Sequence, residues 1–151
     1  MRANEALFGT TIVVLSVAVN LIHTASHFGQ QVVSLPVWQL AYIAVVIYGA
    51  PVVAAILLWT RRRLAGAWLL AASMAGSFVF GLVYHFLVPG PDNVFTLHHG
   101  AWVTAFQVSA VLLAALQITG CLFGVWAAMR LSSPSAVGFP DSSRGPARDH
   151  R

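Results

Sequence analysis

The chain has 151 residues, of which 58% are hydrophobic and only 8% charged. Soluble domains carry about 25% charged residues, so a water-exposed globular fold is excluded. The formal net charge of +4 does not point to nucleic acid, because the basic residues flank apolar runs instead of gathering on one face. A single cysteine, Cys121, rules out an internal disulfide.

A helix needs about 20 apolar residues to cross a hydrocarbon layer of about 30 Å. Four runs meet that requirement, at residues 7–28, 37–60, 65–88 and 101–129, and none contains Asp, Glu, Lys or Arg. The predicted fold is an all-α integral membrane protein, a bundle of four transmembrane helices within residues 1–130. Residues 131–151 turn to Ser, Pro, Gly and Arg. That composition is too poor in apolar groups to be buried and predicts a disordered cytoplasmic tail.

The first run follows Arg2 and exceeds the 7–15 apolar residues usual in a signal peptide, so it is read as a retained span. Ser16, Asn20, His23 and His27 lie on one of its faces, leading to Gln30 or Gln31. Such a stripe is costly against lipid and is expected to face the bundle interior. The second run starts after Pro36, offers Gln39 and Tyr42 at its first turns, and contains Pro51, which is expected to kink it. A very short connection, Arg61 to Leu64, makes the second and third helices antiparallel neighbours. In the third run Ser73, Ser77, Gly81 and His85 recur every four residues, with Tyr84 beside them, and Pro89 and Pro91 follow its end. His98 and His99 precede the fourth run, whose expected inward face is Gln107, Ala110, Ala114, Gln117 and Cys121. Small and polar residues of this kind are what close helix packing in membranes uses.

All eight arginines fall on one side of a four-helix arrangement: Arg2, Arg61 to Arg63, and Arg130 onward. The positive-inside rule then puts both termini in the cytoplasm and the other two loops outside, in a multi-pass protein of the cell membrane. Trp38 and Trp102 fall at the outer edge and Trp59, Trp68 and Trp126 near the inner one, as aromatic belts require.

Five of the six histidines, His23, His27, His85, His98 and His99, fall at the outer end under this topology. Imidazole is the commonest protein metal ligand and suits Zn, Cu and Fe. The five are therefore candidate metal ligands, with His23, His27 and His85 the set expected to converge around a transition metal. The same three could instead bind haem b, as axial ligands between helices. Asp92 is the only carboxylate on that side and is a candidate fourth ligand, a partner to an imidazole, or a plain turn residue. A faint repeat, His27-Phe28 against His85-Phe86, each followed by a proline-containing loop and a tryptophan, would make His27 and His85 pseudo-equivalent.

The His23-x3-His27 spacing resembles the first histidine box of membrane di-iron hydroxylases and desaturases, which would imply iron. His98-His99 lacks the preceding histidine of that family's second box, and the family's sites face the cytoplasm, so the resemblance stops at one box. No nucleophile or paired carboxylates support a hydrolytic enzyme. The sequence reading is thus redox or metal handling at an outward histidine cluster. Its competitor is a non-catalytic accessory subunit whose histidines are merely interfacial. The lipid bilayer is the expected partner, with a membrane protein or a second copy of the chain as the protein contact.

Overall fold

The computed structural model describes residues 3–31, 35–97 and 100–133. His98, His99 and residues 134–151 of the tail predicted from residue 131 lie outside these, whereas Leu131 and Ser132 belong to the last helix and not to a disordered tail. Among the described residues there are four long helices and no strand: α1 Ala3–Gly29, α2 Val37–Leu58, α3 Arg63–Leu87 and α4 Val103–Ser132. All four are long and apolar enough to cross a membrane. At 1.5 Å per residue they run about 33 to 45 Å.

Two of the helices change winding. In α2 the stretch Ile43–Gly49 is π-helical and hands over to α-helix at Ala50, one residue before Pro51. Proline lacks an N–H and its ring crowds the carbonyl four residues back. The expected kink at Pro51 thus takes the form of a wider turn just ahead of it, where the Ala50 N–H reaches back to the Val45 carbonyl. In α3 the last turn, Val83–Leu87, is also π-helical, and the Val88 N–H closes it on the Val83 carbonyl at 2.8 Å. α1 stops by a local device: Gln31 takes φ 58°, the left-handed conformation that commonly ends a helix.

The interior mixes small and polar residues with a few large apolar ones such as Leu70, Met74 and Phe106, and the exterior is large and apolar. Leu21, Val45, Val111 and Leu122 point outward, while Ala54, Ala67 and Ala128 are fully buried. Water would penalise such an exterior, whereas hydrocarbon accepts it, leaving helix association to close packing of small residues. Backbone-to-backbone packing is closest at the arginine-bearing end. A Cβ added at Gly124 would stand 2.6 Å from the Ala71 nitrogen, and one at Gly66 would stand 2.9 Å from the Leu58 nitrogen. Arg130 pairs with Glu5 at 3.0 Å, tying the end of α4 to the start of α1.

The buried face of α4 differs from the expected one. Ala110 and Gln117 are buried as expected, but they are joined by Phe106, Ser109, Leu113, Gly120 and Gly124. Gln107 is exposed, and its amide donates to the Val94 carbonyl. The glycines let the backbones of α3 and α4 meet, and that contact sets the rotation of the whole helix.

Candidate metal centre

At the end away from the arginines, α1, α3 and α4 bring three imidazoles to one point. His23 and His27 sit one turn apart on α1, and His85 lies in the π turn of α3. The Nε2 of His23 is 3.1 Å from the Nε2 of His85 and 3.2 Å from the Nε2 of His27. One nitrogen from each ring lies within 4.8 Å of the other two. The cross-helix convergence expected of His23, His27 and His85 is therefore present in the fold. His23 is its centre and is almost completely buried, while the other two are half-buried.

The second nitrogen of each ring identifies the tautomer. His85 Nδ1 lies 3.0 Å from the main-chain oxygen of Asp92. A carbonyl only accepts, so this Nδ1 carries the proton. His23 Nδ1 lies 2.9 Å from Ser109 Oγ, whose own hydroxyl proton is directed at the Ala105 carbonyl at 2.6 Å. Ser109 thus accepts, and His23 donates from Nδ1. His27 Nδ1 lies 3.3 Å from Asp92 Oδ1. Both atoms are buried and without a hydrogen-bond partner, so their contact is electrostatic and not an aligned hydrogen bond, and the negative carboxylate favours the proton on the Nδ1 that faces it. In a neutral imidazole the other nitrogen is then a bare lone pair. The structure therefore brings the Nε2 atoms of His85 and His27 to that of His23 across about a hydrogen-bond length. Three imidazole nitrogens converging in this way form a group that could hold a metal ion.

Asp92 is the joint of the assembly. Its carboxylate faces one ring and its main-chain oxygen holds another. The turn that carries it is folded back on α3: the Val94 N–H donates to the His85 carbonyl at 2.9 Å, and the Asn93 amide donates to the Val88 carbonyl at 3.1 Å. His27 and His85, the pair matched in the faint repeat, thus share one aspartate through different oxygens.

No family model, curated protein or solved structure matches this chain. The chemistry of the site rests on its own geometry.

Metal–nitrogen bonds of about 2.0–2.1 Å in a tetrahedral site separate neighbouring nitrogens by about 3.3–3.4 Å. The two short Nε2 separations, 3.1 and 3.2 Å, are close to that spacing. Phe106 on α4, fully buried, packs against all three rings at centroid distances of 4.7, 4.9 and 5.4 Å. It walls one side with hydrocarbon. On another side the three histidines and Asp92 line a cavity of about 270 Å³ between the helices. Cys121 lies against the apolar core at the other end, away from the imidazoles.

Sequence reasoning missed Ser109 and Phe106. A signal for them existed: Phe106, Ser109, Leu113, Gln117, Gly120 and Gly124 step by three and four along α4. The face through Gln107 and Cys121 competed with it, and only packing against α3 separates the two.

Proposed function

We propose that this chain is a multi-pass membrane protein that binds one first-row transition-metal ion at its outer end. The ligands are Nε2 of His23, His27 and His85, and the ion is Zn(II) or a copper ion, as suits an all-imidazole set. The observation that carries this reading is the convergence of three imidazole nitrogens, with Nδ1 of His23 and His85 each bonded to an acceptor and Nδ1 of His27 facing a carboxylate, which together favour lone pairs on the converging side. Asp92 and Ser109 serve as the outer hydrogen-bond partners that fix ligand tautomers in metal sites and raise their basicity. The bilayer setting is supported by four apolar helices of spanning length. The outward direction is supported by the one-sided arginines.

A mononuclear ion fits this geometry better than haem does. Axial ligands of a haem approach the iron from opposite faces of a macrocycle. Here the His23 and His85 rings stand edge to face with centroids 4.7 Å apart, and no plate fits between their nitrogens. Three protein ligands leave a coordination position open, as in catalytic zinc sites, and that position would face the cavity. A metal-handling or metal-assisted role follows from it.

The test is metal content and spectrum of detergent-purified protein. Wild type is expected to hold one metal per chain and to give a tetrahedral d–d spectrum with Co(II). His27→Ala is expected to lose most of that occupancy at equal folded protein, and His150→Ala none. Wild-type protein that takes up no metal would instead leave a non-catalytic membrane subunit with interfacial histidines as the better reading.

A further inference from the structure

The cavity beside the histidines has features that the metal alone does not use. Gln39 on α2 and Gln117 on α4 both line it, and both are more than nine-tenths buried. Neither side-chain amide meets a protein hydrogen-bond partner among the described residues. Gln117 is directed to the level of the site, with its Oε1 near Gly81, one turn below His85. Their amide atoms are not sealed off but open onto the cavity, so their hydrogen bonds are left to whatever occupies it. Two such amides on one cavity are best explained by something that enters it.

The remaining walls limit what that can be. Phe80 and Tyr84 line the cavity and sit in an aromatic row: Tyr42 stacks on Phe80 at 5.0 Å and 14°, and Phe80 meets Tyr84 at 4.7 Å. Among the described residues no Arg lines the cavity, so an anionic headgroup finds no counter-charge in these walls. The volume, about 270 Å³, is a little under twice that of the roughly 150 Å³ cavity known to hold benzene. A neutral six-membered ring with oxygen substituents is of that size and bonding character.

The route in is lateral. The upper half of α2 stands apart from α1, and Thr24 and Tyr48 bridge the gap by one hydroxyl–hydroxyl hydrogen bond of 3.0 Å. Along the same seam, about one turn towards the arginine end, Val13, Val17, Val52 and Ile56 line a second, almost wholly apolar cavity. A ring in the first cavity with an alkyl or isoprenoid tail would lay that tail along this groove.

We propose that the cavity binds a membrane-dissolved quinone or quinol. Its ring stacks by Phe80 and Tyr84, and its oxygens pair with Gln39 and Gln117. One ring oxygen faces the open position of the His23–His27–His85 site. The last contact rests on the metal reading, whereas the amide and aromatic contacts do not. Binding alone is proposed, and no electron transfer.

The experiment uses the full chain in detergent, loaded with zinc, and titrated with decyl-benzoquinone and with its quinol. Quenching is followed at Trp38, which lies 6.4 Å from Tyr84. Saturable quenching is expected. Gln39→Leu and Gln117→Leu should each weaken it about tenfold, the loss of one hydrogen bond, with zinc content unchanged. Val52→Trp, which fills the groove from an outward-facing position, should weaken the decyl probe and spare tail-less benzoquinone. Thr119→Val, on the outer face of α4, should do nothing. Three results would overturn the proposal: quenching that never saturates, both leucine variants binding like wild type, or displacement of the probe by decanol at equal concentration. Probe binding by protein that takes up no zinc would refute the metal reading and leave the cavity proposal standing. Zinc binding without saturable probe binding would do the reverse.

Discussion

Replacing Asp92 by Asn separates a designed metal site from a chance meeting of histidines. The substitution keeps size and shape, and it keeps the main-chain oxygen that accepts from His85 Nδ1 at 3.0 Å. It removes the negative charge that faces His27 Nδ1 at 3.3 Å. The variant should therefore retain two fully oriented ligands and lose the anchor of the third. Removing such an outer partner costs about 10- to 100-fold in metal affinity, which is about 1.4–2.7 kcal/mol. His23→Ala should cost far more, since both short Nε2 separations pass through His23. Competition titration of zinc against a chromophoric chelator gives both numbers on detergent-solubilised protein, and circular dichroism confirms equal helix content. If Asp92→Asn binds zinc as tightly as wild type while His23→Ala does not bind, Asp92 is only a turn residue and the tautomer argument for His27 fails.

Metal occupancy should fall on acidification from about pH 7 to about pH 5, because each ligand nitrogen must be unprotonated to bind and protons compete for it. Occupancy that is flat across this window would exclude imidazole ligation. Phe95→Cys in a Cys121→Ser background should react with an impermeant thiol reagent from outside intact cells, since Phe95 projects from the α3–α4 loop at 78% exposure; labelling only after cytoplasmic access would invert the topology. Gly124→Ala should destabilise the bundle by about 1–3 kcal/mol, the usual cost of overpacking, because the new Cβ meets the backbone of Ala71 at 2.6 Å. Gly90→Ala, with nothing within 4 Å, is the neutral control in the same thermal assay.

The helices and the three converging histidines were legible for simple reasons. Apolar runs of spanning length without charge have few other interpretations, and the four-residue step from His23 to His27 places both on one face whatever the tertiary fold. His85 joined them because helix spans and arginine positions independently put it at the same end. The rotation of α4 was not legible. This helix is apolar nearly all round, so periodicity offers two inward faces, and the choice is made by Gly120 and Gly124 docking on α3. Ser109 and Phe106 were lost with that choice. The π turns were hidden for another reason: Pro51 announces a disturbance in α2, but nothing in the residues Val83 to Leu87 announces that His85 sits in a widened turn. Asp92 was ambiguous because its role depends on how the turn after Pro89 and Pro91 folds back, which no local pattern encodes.

The two ends of the bundle are built on opposite principles, and the difference constrains the role. At the arginine end Gly66, Ala67, Ala71 and Gly124 bring three helix backbones into contact, and Leu70 and Met74 fill what remains. At the histidine end α2 diverges, two amides stand without partners, and a cavity remains. Passing an ion between α3 and α4 to the far side would require these helices to separate where a single added methyl group already finds no room. Packed helix contacts of that kind hold one arrangement and do not deform gradually. A site hollow on one side and closed at α3–α4 is suited to receiving and holding a ligand, and the same closure argues against a conduit between those two helices.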